Sequence, residues 1–353
     1  MEVSVVTIEK RNFAKTRKGE EAHIYRCVEE NGIGFEISDF GATLLGVFVP
    51  DKDGNIVDVV LGYDDLEVYE KHVQCMGATI GRTCNRIENA AFRIDDKKYK
   101  LSSCFGPHHI HGGREGFHKK MWEASELPNG VRLKYVSPDM EEGYPGTLGL
   151  EVDFTIEDGN TLQIEYNAYT DKDTLCSITN HTYFNLNGTG NGNVLNHTLT
   201  IYSDEFTESN KYCFPNGNIL SVEGTPLDFR EGKRIGQDIL SDYEQVKWYG
   251  GYDNNFVIRD YNGDDVPKKV ARVVGDKSGI ILICESTLPG VQLYTANSIE
   301  GTIGKKGYRM NNHDGFCLEA QYFPNAMAHN NFVQPILRAG DKYHHITRYT
   351  FTR

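Results

Sequence analysis

Hydrophobic positions along this chain recur mostly with a period of two, in short runs broken by turn residues. Gly46–Val49, Pro50-Asp51-Lys52-Asp53-Gly54 and Asn55–Leu61 read as strand, turn and strand. Glu151–Ile156 and Thr161–Tyr166 flank Glu157-Asp158-Gly159-Asn160, whose Asp-Gly pair is a strong hairpin signal. Val131, Leu133 and Tyr135 alternate with polar residues as a half-buried strand does, and Ile280–Ser286 and Val291–Asn297 flank a Thr-Leu-Pro-Gly turn. Helical periodicity is confined to Leu66–His72, Ile235–Leu240 and Tyr243–Val246, one or two turns each. No repeat, low-complexity tract or linker interrupts the pattern. The expectation is an all-β chain: one large antiparallel β-sandwich with a few short helices, a single domain over residues 1–353.

The segment Thr179-Asn180-His181-Thr182-Tyr183-Phe184-Asn185-Leu186 departs from this pattern. It sets an imidazole beside hydroxyls, amides and two aromatic rings, and Asn180, His181 and Asn185 would each need a buried hydrogen-bond partner. Such a set suits a flat, hydroxylated, uncharged ligand, as sugars are. Four other segments carry polar residues that strands rarely tolerate: Gly81–Ile87, Pro107–Phe117, Tyr252–Phe256 and Phe316–Pro324.

Composition narrows the function. A formal net charge of −13 over 353 residues would repel nucleic acid and anionic membrane, so neither is expected as a partner. The amino-terminal Met-Glu-Val-Ser-Val-Val-Thr-Ile-Glu-Lys has no basic start or long apolar stretch, unlike a signal peptide. No run approaches the roughly 20 apolar residues that span a bilayer. The 8 cysteines lack CxxC spacing and read as reduced, inert thiols, which places the chain in the cytoplasm. A monomer or weak homodimer is expected.

The ordered segments Asn85-Arg86, His111-Gly112-Gly113, Asn180-His181-x-Tyr183-Phe184-Asn185-Leu186, Asp253-Asn254-Asn255-Phe256, Gly290-Val-Gln-Leu-Tyr-Thr295 and Leu318-Glu319-x-Gln321 resemble the aldose 1-epimerase (galactose mutarotase) family. Asp58-Val-Val-Leu-Gly-Tyr-Asp64 resembles it too, so the likeness spans roughly residues 30–350. It implies the mutarotase-like supersandwich and interconversion of the α and β anomers of free aldohexoses. That reaction opens the ring at C1–O5: a base takes the C1 hydroxyl proton, an acid protonates O5, and the reverse transfers close the ring. With no redox step or covalent intermediate, neither cofactor nor metal is required.

The resemblance gives Glu319 the role of base and His181 that of acid, with His111 near the ring oxygen. Glu319 stands in an otherwise apolar run, where burial would raise its pKa. Asn85, Arg86, Tyr183, Asp253 and Gln292 are the expected sugar contacts, and Gly112-Gly113 would let backbone approach the ligand. Phe184 and Trp122 are further candidate stacking surfaces. Each has a structural alternative: an Arg–Glu pair for Glu319, a hydrogen-bonded core imidazole for His181, a turn former for Asp253, a surface ion pair for Arg86. His108 and Asn325 stand where the family more often has Asn and Asp, which bears on substrate preference or loop packing.

Other readings compete. His108, His109 and His111 suggest zinc, but their spacing fits no known ligand pair and no Cys or carboxylate lies at a diagnostic distance. Gly188-x-Gly190-x-Gly192 and Gly301–Lys306 look like phosphate loops without completing a nucleotide motif, and read as turns. A glycoside hydrolase would use Asp253 and Glu319 as paired carboxylates. A sugar-phosphate epimerase would need several basic pocket residues, with only Arg82 and Arg86 available. A non-catalytic sugar-binding module would have no need for both Glu319 and His181.

Overall fold

The computed structural model describes residues 6–30, 32–71 and 74–353. The first five residues of the amino-terminal run, and His72 at the end of the first helical run, lie outside the described residues. Strands dominate. Among the described residues the two α-helices, Leu66–Lys71 and Glu244–Tyr249, have 6 residues each, and Ile235–Gln237 is a single 3₁₀ turn.

Nine strands form one antiparallel sheet, in the spatial order Glu123–Leu127, Gly130–Ser137, Leu148–Glu157, Thr161–Thr170, Lys342–Thr352, Ile281–Ser286, Lys268–Val274, Thr198–Ile201, Lys233–Arg234. An amino-terminal five-stranded sheet runs in chain order through Val6–Lys15, Glu21–Glu29, Gly34–Ser38, Thr43–Pro50 and Ile56–Asp58. A second five-stranded sheet is ordered Pro215–Ser221, Glu205–Ser209, Asp253–Val257, Gly290–Tyr294, Cys317–Gln321. Every pairing within these three sheets is antiparallel.

The expected hairpins form. The Asp158-Gly159 turn takes positive φ at both residues, 51° and 73°, which Asp and Gly tolerate and β-branched residues do not. Alternation then fills the core. Val131 and Leu133, Val152 and Phe154, and Leu162 and Ile164 leave the nine-stranded sheet on one face. They join Phe35 and Val47 of the first small sheet and Phe256, Leu293 and Leu318 of the second in one continuous cluster. The large sandwich is therefore present, with two small sheets sharing one apolar core with the large one. Each such side chain, nearly fully buried, contributes about 1.5–3 kcal/mol.

Residues 287–290 do not close a hairpin. Ile281–Ser286 pairs within the nine-stranded sheet, whereas Gly290–Tyr294 pairs with Asp253–Val257 and Cys317–Gln321. Both edges of each strand are occupied by other partners, so the Thr-Leu-Pro-Gly segment carries the chain from one sheet to another. The two glycine-rich loops are structural. Gly192 O accepts the Asn185 amide at 2.7 Å, and Lys305 Nζ bonds Asp58 Oδ2 at 2.7 Å and Val60 O at 2.9 Å.

Arg82, one of the two arginines available for a phosphate, belongs to the fold. It is 2% exposed, and its N–H groups donate to Ser137 Oγ, Ser137 O, Pro138 O, Pro145 O and Thr174 Oγ1 at 2.9–3.3 Å. The planar fork is satisfied throughout by neutral acceptors. An ammonium has fewer donors and no fork, so Arg82→Lys should leave buried carbonyls unpaired. A loss of about 2–4 kcal/mol in urea denaturation is expected; an unchanged midpoint would show that the guanidinium holds nothing together.

Candidate active site

The pleat of Cys317–Gln321 sets the site. Leu318 and Ala320 face the apolar interior, at 1% exposure each, so Cys317, Glu319 and Gln321 must face the other way. Cross-strand register extends this polar face over three strands: Asp253, Tyr294 and Cys317 form one row, and Asn255, Gln292 and Glu319 the next. Two carboxyl groups, two amides, a phenol and a thiol thus share one surface because residues between them, Phe256, Val291, Leu293, Leu318 and Ala320, are anchored in the core.

His181 approaches from another element. The short strand Thr179–Asn180 pairs with Thr79–Ile80, His181 N–H donates to Ala78 O at 3.0 Å, and His181 O accepts Gly77 N–H at 2.9 Å. Asn180 Nδ2 bonds Gly77 O at 2.8 Å, Thr182 Oγ1 bonds Asn180 Oδ1, and Asn185 Nδ2 also reaches Asp314 O at 2.9 Å. The polar residues around His181 therefore find their partners in the protein and hold the imidazole in place. Tyr183 stacks on it, with centroids 5.0 Å apart and planes at 12°, and sends its hydroxyl to Gln74 O. It forms a shelf under His181. Phe184 and Trp122 are elsewhere: Phe184 packs on Phe316, Tyr349 and Phe351, and Trp122 on Phe117 and Tyr135, inside the core.

Arg86–Ile87 pairs with His109–Ile110, which brings Asn85, Arg86 and His111 together. Asn85 N–H donates to His111 Nδ1 at 3.2 Å and Asn85 O accepts His111 N–H at 3.1 Å. The other ring nitrogen of neutral His111 consequently carries the proton. The His111 and His181 rings meet at 5.2 Å, close to perpendicular. Gly112 serves this packing and not a ligand: a Cβ there would lie 1.6 Å from Gly81 O, and one on Gly113 would lie 2.1 Å from Glu142 Oε2.

Arg86 Nη2 bonds Asp253 Oδ2 at 3.1 Å, Gln292 Nε2 bonds Asp253 Oδ1 at 2.6 Å, and Gln321 bridges Asn85 and Gln292 at 3.4 and 3.3 Å. Side-chain exposure falls from 14% for both Arg86 and Asp253 to 7% for His181 and 3% for Glu319. The carboxyl therefore lies deepest and the ion pair nearer solvent. Glu319 Oε2 is 3.6 Å from His181 Nε2 and has no hydrogen-bond partner among the described residues. Desolvation is the main cause that pushes Glu319 up to about 8, helped by the Asp253 charge and opposed by Arg86. Desolvation likewise pulls His181 down to about 4 and His111 well below its ordinary range.

Glu319, His181, His111, Asn85, Arg86, Tyr183, Asp253 and Gln292 are thus all brought to one region. Gln321, Tyr294 and Cys317 join them without having been singled out. Tyr294 meets His181 edge-on at 6.3 Å, and Cys317 Sγ lies 3.6 Å from His181 Nδ1. Period-two spacing from Glu319 and Gln292 is the signal that would have found them. Asn325 serves the backbone: it sits at φ 55°, and its Oδ1 accepts Glu88 N–H at 3.0 Å beside the Arg86 strand. His108 accepts Asn89 N–H and packs on Phe214.

His109 is spent on Ser102 O and the Tyr144 hydroxyl, so the 108–111 histidines do not converge on a metal. Among the described residues, His111, His181 and Glu319 do place ligand-type atoms within 4.8 Å of one another. With one His111 nitrogen accepting the Asn85 amide and the other protonated, that ring has no lone pair left for a cation. The trio suits proton transfer.

Residues 24–350 match the family described as aldose 1-epimerase. Galactose mutarotase from Bos taurus is 39% identical over 326 residues, 92% of this chain and 93% of its own. The Homo sapiens galactose mutarotase is 38% identical over 318 residues, 90% of each chain, and the aldose 1-epimerase of Escherichia coli is 34% identical over 323 residues, 91% and 92%. A solved aldose epimerase homologue from C. elegans superposes with a TM-score of 0.83 at 31% identity, covering 98% of this chain and 99% of its own.

The buried carboxyl makes stability depend on pH. Its folded pKa is raised, so its contribution is complete below the ordinary carboxyl value of about 4.3 and is lost as pH climbs through about 8. Glu319→Gln keeps the shape and removes the charge. The variant should match the wild type in Tm near pH 4.5 and exceed it by several degrees at pH 9, as scanning calorimetry would show; parallel curves would mean that the carboxyl is not desolvated.

Proposed function

The chain belongs to the aldose 1-epimerase family, and we propose that Glu319 and His181 are the base and the acid with which it interconverts the α and β anomers of free aldohexoses such as galactose and glucose. One observation carries this assignment: a buried carboxylate oxygen with no hydrogen-bond partner among the described residues lies 3.6 Å from an imidazole nitrogen. A buried polar atom left unbonded is costly unless a ligand completes it. The C1 hydroxyl of a bound sugar completes Oε2.

The pair holds one proton between the two limits, about 4 and about 8. Without sugar that proton rests on Glu319. A hydroxyl donating to Oε2 favours the ionised carboxylate, and the proton then passes to Nε2 of His181, which delivers it to O5. Glu319 takes the C1 proton in the same event. His111 supplies a fixed N–H donor, while Arg86, Asp253, Gln292 and Asn85 hold the sugar hydroxyls. Arg86 is already neutralised by Asp253 and Arg82 is committed to backbone carbonyls, which favours an uncharged sugar over a sugar phosphate.

The continuous core supports one domain over residues 1–353. Of the 8 cysteines 6 are buried, in keeping with a reduced, cytoplasmic setting. Among the described residues no helix is long and apolar enough to cross a membrane. A monomer or weak homodimer is the proposed state.

Polarimetry on freshly dissolved α-galactose and α-glucose, corrected for the spontaneous rate, tests the pair. Glu319→Gln should fold and lose about 10²–10⁴-fold in kcat, and retained activity would remove Glu319 as base. His181→Asn should lower kcat more than it raises KM; a change confined to KM would leave His181 a binding role only.

The pH profile follows from the proton count. Below about 4 both groups are protonated and the base is lost; above about 8 the pair is empty and the acid is lost. A broad plateau with two falling limbs is expected, and a rate still rising beyond pH 9 would contradict the shared proton.

A further inference from the structure

The loop between Glu205–Ser209 and Pro215–Ser221 brings Cys213 to Asp253, at the more exposed end of the candidate site. Asn210 builds this loop. Its N–H donates to Phe214 O and its carbonyl accepts Cys213 N–H, both at 2.9 Å. Its side-chain Oδ1 accepts Tyr212 N–H at 2.9 Å and Phe214 N–H at 3.3 Å. Tyr249 gives its hydroxyl hydrogen to Asn210 O at 2.7 Å, and Phe214, 2% exposed, packs on His108. The winding leaves Cys213 at φ 61°, a left-handed conformation that Gly, Asn and Asp adopt far more readily. Nothing in the turn itself calls for a thiol there.

What the thiol meets is a carboxylate. Cys213 Sγ lies 3.4 Å from Asp253 Oδ2, the oxygen that also accepts Arg86 Nη2 at 3.1 Å. Asp253 Oδ1 accepts Gln292 Nε2 at 2.6 Å. With N–H donors on both of its oxygens, Asp253 is an acceptor, so at this contact the thiol donates. Burial, helped by the Asp253 charge, pushes the Cys213 thiol up to about 12, and the hydrogen stays on sulfur at neutral pH. The Tyr249 oxygen also lies beside the thiol. A hydrogen sent there would turn sulfur lone pairs onto an oxygen of the Arg86–Asp253 ion pair, and the charged acceptor is the stronger of the two.

Asp253 then has little left to offer. A carboxylate has about four acceptor positions, two on each oxygen. Arg86 and Cys213 fill those of Oδ2, and Gln292 fills one of Oδ1. A hydroxyl that donates to Asp253 therefore has one place to go, on Oδ1 beside the Gln292 amide. Without the thiol, Oδ2 has an open position for water, and the carboxylate is held by one contact fewer.

We propose that Cys213 is a positioning residue for the sugar: its thiol closes Asp253 Oδ2 and leaves Oδ1 alone to the substrate, so that it acts on binding and not on proton transfer. This rests on the reading of the pocket around Glu319 and Asp253 as the sugar site. Polarimetry over a range of galactose concentrations, alongside thermal melting, tests it. Cys213→Gly removes the thiol and suits φ 61°, so Tm should stay level or rise. Its KM should nevertheless rise about three- to tenfold with kcat unchanged. Cys213→Ser keeps a donor on the same unfavourable backbone and should return KM to within about twofold of the wild type. A Gly variant with wild-type KM, a Ser variant as impaired as the Gly variant, or a KM rise that comes with a fall in Tm overturns the proposal. Asp253→Asn separates this inference from the reading beneath it. An unchanged KM in that variant sinks the sugar-site role of Asp253 and Cys213 with it, whereas a raised KM there beside a silent Cys213→Gly removes Cys213 alone.

Discussion

The site depends on a carboxyl group being kept out of water by a strand that cannot turn it elsewhere. Leu318 and Ala320 are locked into the interior, and the two-residue period of a strand leaves Glu319 no second orientation. Slipping the register by one residue would bury the carboxylate among Leu293, Phe256 and the large core cluster, where no hydroxyl could reach it. The apolar packing of the sandwich and the reactivity of Glu319 are therefore one constraint seen from two faces of the same strand.

From this placement the electrostatics follow. Water is excluded from Glu319 far more than from the Arg86–Asp253 pair, so the deeper group prefers its neutral form. An imidazole held at 3.6 Å and equally desolvated also prefers to be neutral. Two groups that each resist charge share one proton, which rests on Glu319, and a hydroxyl hydrogen-bonded to the ionised carboxylate would favour its transfer to the imidazole. Tyr183 beneath the ring and Cys317 beside Nδ1 limit how far His181 can turn.

Much of this could be read from residue order. Strand alternation, the Asp158-Gly159 turn and the brevity of the helices are local properties, and local physics dictates them. Glu319 and His181 were legible as polar residues in runs otherwise suited to the core. What could not be read is where unlike segments meet. Asn180 and Asn185 looked like ligand-binding groups, yet their acceptors Gly77, Gly192 and Asp314 are supplied by tertiary contacts far along the chain or by a loop. Phe184 and Trp122 went to the core because an aromatic side chain has the same sequence signature in either role. Gly112 and Gly113 signalled close approach correctly, but the approaching groups are Gly81 and Glu142. The Thr-Leu-Pro-Gly segment has the composition of a hairpin turn, and only the prior occupancy of both neighbouring edges sends it across the sandwich.

The placement of Asp253 bears on which chemistry this pocket can perform on a sugar. Glycoside hydrolysis by two carboxyl groups needs one that can donate a proton to a departing oxygen and another that attacks or activates water. Asp253 has Arg86 on one oxygen and Gln292 on the other, contacts that present both oxygens as acceptors to N–H donors. The proton shared with Glu319 can pass to His181 Nε2, 3.6 Å from Oε2. A carboxyl–imidazole pair sharing one proton can move it from one oxygen of a hemiacetal to the other and end in the state in which it began. That closed cycle is the need of anomer exchange, in which the sugar leaves with the same bonds it had on entry.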